Sequence, residues 1–147
     1  MDIKAREYLE AILEEEKELR RMYFNLYTGT EFFDRLTPIE QLMYVALLGQ
    51  FGFDEPQYAI SPQHQIGKFR VDFFVQSLSP HATVIVECDG HDYHEKTKAQ
   101  ASNDKRRDRE LKMQGYDVLR YTGSDIWRDP RRCADEVWKF ISNKSNG

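Results

Sequence analysis

Hydrophobic residues recur at helical spacing along residues 3–26, and the positions between them are rich in glutamate and arginine. This pattern predicts one long amphipathic helix. Its apolar stripe would pack either on the rest of the chain or on a second copy, in which case the N-terminal helix would mediate a homodimer. The apolar positions are Tyr8, Leu9, Ile12, Leu13, Leu19, Met22, Tyr23 and Leu26.

A second helix is predicted over residues 40–50. Thr37 is a good cap, Pro38 suits the first helical position, and Glu40 stands where a capping box needs a glutamate. The glycines at positions 49 and 52 are expected to end this helix. Capping alone would explain Glu40, although the residue is free to do a second task as well.

Four short segments have the pattern of β-strands: residues 58–60, 69–75, 83–88 and 116–121. Side chains alternate in the second, with Phe69, Val71, Phe73 and Val75 on one face, and the third is almost continuously apolar.

A turn at residues 77–81 joins the two middle strands into a hairpin. A basic helix over residues 104–114 connects the third strand to the fourth, which makes that pair parallel. Residues 91–103 are polar and predicted to be a loop, and Asp129-Pro130 starts a last helix. The order predicts an α/β fold: a mixed β-sheet flanked by helices, with an extra N-terminal helix.

Composition fits a soluble globular domain, since 147 residues include 40% hydrophobic and 31% charged side chains. Two cysteines are too few for a disulfide framework, so we expect a reducing, cytoplasmic location. The longest uncharged stretch, residues 41–53, is too short to span a bilayer. Met1-Asp2 does not open a signal peptide.

Charge is unevenly distributed along the chain. Residues 1–55 carry 6 basic and 12 acidic side chains, whereas residues 96–132 carry 11 basic and 6 acidic ones. The basic segment is either a phosphate-binding face or a solvated helix with internal ion pairs. Trp127 and Trp138 are expected in the core.

Two carboxylates are predicted to meet across the hairpin. A turn centred between Ser79 and Pro80 places Asp72 opposite Glu87, with Cβ atoms about 5 Å apart. Asp89 lies two residues further along and shares the face of Glu87. Like charges this close need a cation, either a hard divalent ion such as Mg²⁺ or a basic side chain. The basic side chains within reach are Lys68, Arg70 and Arg107.

The loop after the hairpin contains His91 and His94, which would be either surface residues or part of a site. With Asp89 and Asp92 they suggest a zinc site, but the absence of cysteines from this loop disfavours it.

The ordered series of motifs from residue 37 to about 141 resembles the restriction-endonuclease-like superfamily of nucleases. Within it, the series is most similar to the stand-alone domain family related to very-short-patch-repair endonucleases. On this basis we expect a helical extension at 1–34, a nuclease domain at 35–143 and a disordered tail at 144–147. The motifs are Thr37-Pro38-x-Glu40, Pro62-Gln63-x-x-Ile66-Gly67, Val71-Asp72-Phe73, Val86-Glu87-x-Asp89-Gly90 with His94, Asp104-x-x-Arg107-Asp108-x-x-Leu111, and Gly115-Tyr116-x-Val118-Leu119-Arg120-Tyr121.

The resemblance implies a site that holds Mg²⁺, with Mn²⁺ as a substitute. Asp72 and Glu87 match the metal ligands of the superfamily, and Asp89, on the same face, is expected to be a third ligand. Glu40 matches an outer or second-metal ligand, Gln63 matches a polar residue of the site, and His94 matches the general base. A histidine with an ordinary pKa near 6.5 suits proton transfer near neutral pH.

One position departs from the widespread pattern of the superfamily, which has lysine two residues after the second acid. Here that position is Asp89. The patch-repair relatives also lack this lysine, so His94 is the first choice for activating water. Lysines that would reach the site instead are Lys68, Lys96 and Lys98.

The function implied is a metal-dependent DNA endonuclease that hydrolyses phosphodiester bonds. DNA would contact Lys96, Lys98, Arg106 and Arg109. Asp104 and Arg107, on one stripe of the helix, are predicted to be structural instead. The alternative is a non-catalytic nucleic-acid-binding or recruitment module on the same fold.

Overall fold

The computed structural model describes residues 2–15, 35–52, 56–90 and 97–146. The helices and strands follow one another in the order that the sequence predicted, with one additional short helix after the last strand. The elements are α1 (Ile3–Glu15), α2 (Pro38–Phe51), β1 (Tyr58–Ile66), β2 (Phe69–Leu78), β3 (His81–Asp89), α3 (Lys98–Met113), β4 (Val118–Thr122), α4 (Gly123–Arg128) and α5 (Pro130–Asn146).

The four strands form one mixed sheet in the order β1-β2-β3-β4. β2 is antiparallel to both β1 and β3, whereas β3 and β4 are parallel. Leu78 pairs with His81 and Phe73 pairs with Val86, which is the register predicted for the hairpin. The α/β class, the mixed sheet and the N-terminal helix are therefore confirmed.

Each face of the sheet packs against its own set of helices. On one face, Phe73, Val75, Val84 and Val86 belong to a large core with residues of α2, α4 and α5. On the other face, Phe74 and Ile85 form a smaller core with Leu111 of α3. Because β-strand side chains alternate between faces, a single hairpin can supply both cores.

The start of α2 is confirmed as a capped helix. The Thr37 hydroxyl accepts a hydrogen bond from the backbone N–H of Glu40 at 3.3 Å. Gly49 lies inside the helix and does not end it. Gly52 follows the last turn with φ 94°, a left-handed conformation that glycine adopts without a steric penalty.

Most predicted boundaries lie within three residues of the observed ones, and two differ by more. β1 continues through Pro62 to Ile66, which an edge strand tolerates because, in the described sheet, β1 has a neighbouring strand on one side only. α3 begins at Lys98, six residues before the predicted start, so part of the expected polar loop is helical. Thr97 and Gln100 form a reciprocal capping box there. This capping pair was not predicted, because the segment around it is polar and has the pattern of a loop.

The short helix α4 was not predicted, and neither was the exposure of its tryptophan. Thr122 and Asp125 form the capping box that starts α4 directly after β4. Trp127 is 37% exposed, so its assignment to the core was wrong, and the Lys4 ammonium lies 4.8 Å from its ring centre. Trp138 is half-buried against the larger core.

Both ends of the described chain pack on the domain. Ala5 of α1 is fully buried in the larger core, and α1 contacts α2. Residues 16–26 of the predicted long helix lie outside the described residues. α5 continues to Asn146, where a tail was expected, and Lys144 pairs with Asp117 at 2.7 Å. Among the described residues, no helix is long and apolar enough to cross a bilayer.

Candidate active site

Two acidic residues stand where β2 and β3 separate. Their backbone pairing ends at Phe73 and Val86, one residue before Asp72 and Glu87. Side chains replace the missing backbone bonds: the N–H of Cys88 donates to Asp72 Oδ2 at 2.8 Å, and the N–H of Asp72 donates to Glu87 Oε2 at 3.4 Å. The predicted meeting of Asp72 and Glu87 is confirmed, although the strands no longer pair there.

The alternation of β2 changes face at Asp72. Val71 packs with Phe74 in the smaller core, whereas Phe73 and Val75 lie in the larger one. The prediction that Val71 and Phe73 share a face was therefore wrong. A regular strand would have kept them together, so the irregularity falls at the residue whose carboxylate reaches across to β3.

Glu87 is a buried acid whose pKa is strongly raised. Its side chain is 3% exposed. Burial and then the neighbouring Asp72 raise the pKa of Glu87 to about 8, while Arg107 and Arg120 act in the opposite direction. Without a bound cation, Glu87 therefore holds a proton more readily than an ordinary carboxylate does, and Arg107 favours its charged form.

Arg107 of α3 is the basic side chain nearest to Glu87. Its Nη2 lies 2.6 Å from Glu87 Oε1 and donates a hydrogen bond to the backbone carbonyl of Arg70 at 2.5 Å. Within the described chain, the buried Oε1 of Glu87 has no hydrogen bond of good geometry. The ion pair is close but poorly aligned. Lys68, also considered as a counter-ion, pairs with Glu110 at 3.2 Å instead.

Glu40 reaches the same site from α2 and also serves the helix cap. Its Oε1 accepts from the Thr37 hydroxyl at 2.9 Å, and its Oε2 accepts from Gln63 Nε2 at 2.6 Å. Burial, followed by the charge of Asp72, raises the pKa of Glu40 above its usual range. The structure thus brings together Glu40, Gln63, Asp72 and Glu87.

Gln63 has an unusual backbone. Its φ is 51°, in the left-handed region that non-glycine residues rarely adopt. The residue lies in β1 between the pairs Pro62–Phe73 and His64–Val71, which places it opposite Asp72. Such a conformation costs about 1–3 kcal/mol and persists only where the surroundings enforce it. Strain therefore coincides with the side chain that holds Glu40.

Asp89 has a different partner from the one the sequence suggested. Arg120 of β4 bonds Asp89 Oδ1 at 2.7 Å and Asp108 Oδ1 at 2.8 Å. Sequence reasoning gave Arg120 and Asp108 no role, although the parallel pairing sets Arg120 opposite Glu87 and two positions before Thr122, the partner of Asp89. Asp89 is thereby held by a cation of the protein itself.

The carboxylates fit a divalent ion of the magnesium type. Over the described ranges there is no group of three or more His, Cys, Asp or Glu side chains that could hold a metal ion. Mg²⁺ nevertheless needs only one or two protein carboxylates, because it keeps several waters and binds substrate phosphate. Asp72 and Glu87 supply two adjacent acidic groups, and Glu87 has a buried oxygen that still lacks a good donor.

The other predicted residues are either exposed on α3 or lie outside the described chain. His94 and Lys96 belong to residues 91–96, which the structure does not describe, and the same holds for His91 and Asp92. Lys98, Arg106 and Arg109 are exposed on α3.

The comparisons with known proteins give one match. A family model, REase_MTES_1575, a restriction-endonuclease-like domain, matches residues 53–141, which is more than half of the chain. No curated protein and no solved structure gives a significant match.

Proposed function

The chain belongs to the restriction-endonuclease-like domain family REase_MTES_1575, and from that premise we propose that it is a metal-dependent DNA endonuclease. The observation that carries the proposal is the contact of Asp72 with the buried Glu87 where β2 and β3 separate. Within the superfamily, the proposed activity is like that of very-short-patch-repair endonucleases, which the motifs resemble.

The proposed cofactor is Mg²⁺, with Mn²⁺ as a substitute, held by Asp72 and Glu87. When bound, such an ion positions a water molecule and neutralises charge on the phosphoryl oxygens. Asp89 is left out of the proposed ligand pair because Arg120 already neutralises it. The reaction adds the water oxygen to phosphorus and breaks one ester bond of the backbone.

The protein residues around the pair hold its geometry. The N–H of Cys88 fixes one oxygen of Asp72, and Gln63 fixes one oxygen of Glu40. Such supporting hydrogen bonds orient carboxylates that bind a metal. Glu40 is proposed to face the site from outside the ligand pair.

The proposed general base is His94, as the resemblance implies. Lys98 is an alternative at the start of α3, and Lys96 is another. Lys68 is the least suited, since it is exposed and paired with Glu110. Arginine is not a candidate because it keeps its proton at any relevant pH.

The proposed DNA contacts are Lys96, Lys98, Arg106 and Arg109. Lys98, Arg106 and Arg109 are exposed on α3, and exposed cations bind the phosphate backbone without reading sequence. Binding through them is expected to weaken as salt rises, because each contact releases a condensed counter-ion.

Plasmid cleavage tests the proposal. Wild-type protein is incubated with supercoiled plasmid in Mg²⁺, Mn²⁺ or EDTA, beside Asp72→Asn and a control, Arg132→Gln. Arg132 is exposed on α5, which packs on the opposite face of the sheet from α3. We expect nicking or linearisation that requires the divalent ion, disappears in Asp72→Asn and persists in the control. Cleavage that survives in EDTA or in Asp72→Asn would contradict the proposal.

The ion pair between Arg107 and Glu87 favours the second candidate, a non-catalytic nucleic-acid-binding module. A carboxylate neutralised by the protein has less need of a metal. This candidate predicts salt-sensitive DNA binding that is unaffected by divalent ions or by Asp72→Asn, together with intact plasmid in every condition.

A further inference from the structure

A cleft of about 320 Å³ lies beside the proposed active site, between α3 and the turn that joins β1 to β2. Lys68 and Phe69 form one side, and Asp104, Arg106 and Glu110 of α3 form the other, with Arg107 also lining the cleft. The space is well above the roughly 30 Å³ that one water occupies in the liquid. We call it the α3 cleft.

Arg107 connects the α3 cleft to the carboxylate pair. Its side chain is 22% exposed, lines the cleft and approaches Glu87 Oε1 to 2.6 Å. The centre of its guanidinium lies 5.7 Å from the centre of the Phe69 ring in the cleft wall. One side chain thus borders both the candidate metal ligand and the open space next to it.

The two contacts of Arg107 with Glu87 and with the carbonyl of Arg70 both use Nη2. A guanidinium has five N–H donors arranged as a fork that matches the oxygens of a phosphate. Both two-donor sides of a guanidinium, Nη1 with Nη2 and Nε with Nη2, include Nη2, so Arg107 can bind a phosphate through two N–H groups once Nη2 releases Glu87. Among the described residues, Nε and Nη1 have no other acceptor. The fork is anchored to the backbone, so it is already placed near the cleft.

Charge in the α3 cleft depends on whether Glu87 keeps Arg107. With Arg107 paired to Glu87, the remaining cations Lys68 and Arg106 are balanced by Asp104 and Glu110. A divalent cation at Asp72 and Glu87 would compete with the guanidinium for the same carboxylate and would repel it. The positive charge of Arg107 then becomes available to an anion in the cleft.

We propose that the α3 cleft binds a phosphate of the DNA backbone, and that Arg107 exchanges Glu87 for this phosphate when Asp72 and Glu87 hold a divalent cation. Metal binding and DNA binding are thereby coupled through one side chain. The inference rests on the proposed function, because it takes Asp72 and Glu87 as the metal ligands. It adds a positioning residue and a phosphate subsite to that function.

DNA affinity measured with and without Ca²⁺ is the first test. Fluorescence anisotropy of a short labelled duplex is followed in EDTA and in Ca²⁺, at several salt concentrations. For the wild type, Ca²⁺ should raise the affinity and steepen its salt dependence by about one phosphate contact. Arg107→Gln should lose both effects of Ca²⁺ while its binding in EDTA stays close to that of the wild type.

Three further variants sharpen this test. Lys68→Gln should weaken binding mainly in Ca²⁺, where the cleft holds the phosphate, and should reduce the salt slope there by about one. Arg107→Lys keeps the positive charge beside Glu87 but loses the fork, so it should fold like the wild type and keep less than half of the Ca²⁺ effect. Arg132→Gln, the control on α5, should keep the whole of it.

Metal affinity without DNA is the second test, measured by calorimetric titration of Mn²⁺. Removing the competing guanidinium should make Arg107→Gln bind Mn²⁺ at least threefold more tightly than the wild type. A merely structural Arg107 would instead leave the affinity equal or lower, because the ligands would be less well placed. Since Arg107→Gln leaves Glu87 without a counter-ion and is at risk of unfolding, Arg107→Lys is titrated beside it. Arg107→Lys should bind Mn²⁺ with wild-type affinity.

The outcomes separate this inference from the function beneath it. If the wild type binds Mn²⁺ but both Arg107 variants keep the full Ca²⁺ effect on DNA, the inference is overturned and the proposed nuclease stands. If the wild type binds no Mn²⁺ and its DNA affinity does not change with Ca²⁺, the proposed metal site is wrong, and the inference is wrong as well. If Arg107→Gln does not fold, a full Ca²⁺ effect in Arg107→Lys overturns the inference by itself.

Discussion

Glu87 and Asp89 lie two residues apart on β3, and each faces an arginine, but their surroundings differ. Asp89 has an aligned hydrogen bond from Arg120, which also binds Asp108. Glu87 is buried beside another acid, and its arginine is close but misaligned. Asp89 has a well-aligned donor, whereas Oε1 of Glu87 has, among the described residues, only a misaligned ion pair.

This difference separates a structural cluster from a candidate site. Buried polar groups in folded proteins are normally hydrogen-bonded, so an unsatisfied oxygen calls for an explanation. The raised pKa of Glu87 and the left-handed backbone of Gln63 occur around the same point. Departures from local rules concentrate at functional sites, because function requires arrangements that stability alone would not select.

The largest expected difference between the two carboxylate groups is in cleavage. Asp72→Asn should lower plasmid cleavage in Mg²⁺ by at least about 10³-fold, since it removes several kcal/mol of charge stabilisation from the transition state. Asp89→Asn should lower it by no more than about tenfold. Initial rates on supercoiled plasmid measure both. Equal losses in the two variants would place Asp89 within the metal site.

The second difference is in how stability depends on pH without metal. The pKa of Glu87 in the folded protein, about 8, lies above its usual value of 4.5. Its contribution to stability is therefore complete below pH 4.5 and is lost as pH rises through 8. Urea unfolding in EDTA should show stability falling across this window.

Two variants check the assignment of this pH effect. Glu87→Gln should flatten the fall, because the amide has no proton to lose, whereas Asp89→Asn should keep it. Mg²⁺ should oppose the fall in the wild type, since a ligand that binds the folded state stabilises it. A fall that persists unchanged in Glu87→Gln would assign it to another group.

A smaller effect is expected in the satisfied cluster. Arg120→Gln leaves Asp89 and Asp108 side by side without their shared cation, and both are largely shielded from water. We expect a loss of about 2 kcal/mol in the free energy of unfolding, less than for a fully buried pair. The loss should not depend on Mg²⁺. A loss that Mg²⁺ restores would link this cluster to the metal.

The smallest effect concerns the backbone of Gln63. Gln63→Gly and Gln63→Ala both remove the hydrogen bond to Glu40, but only glycine adopts a positive φ at no cost. The glycine variant should therefore be more stable than the alanine variant by about 1 kcal/mol in urea unfolding. Cleavage should fall equally in both. A more stable alanine variant would mean that position 63 relaxes to an ordinary φ.

The sequence predicted the hairpin register because the turn at residues 77–81 has few alternatives and the flanking strands are strongly apolar. That register was enough to bring Asp72 to Glu87. It did not reveal the change of face at Asp72, since alternation in a sequence reads as a regular strand. Only the packing of Val71 with Phe74 shows the irregularity.

The partners of the acids were harder to predict than the acids themselves. Which cation neutralises Glu87 depends on how α3 lies across the sheet, and the sequence offered Lys68, Arg70 and Arg107 equally. Arg120 was given no role because the pattern of β4 is that of an apolar strand, in which a single arginine is usually a surface residue. Trp127 was misplaced for a related reason: a short capped helix after β4 turns it toward solvent.

Calorimetric titration of Mn²⁺ into metal-free protein tests the central claim most directly. It compares the wild type with Glu87→Gln and Asp89→Asn, two changes of equal charge on the same strand. We predict that the wild type and Asp89→Asn bind one ion with similar affinity, and that Glu87→Gln loses binding. Undiminished binding in Glu87→Gln, or its loss in Asp89→Asn alone, would contradict a metal site built on Asp72 and Glu87.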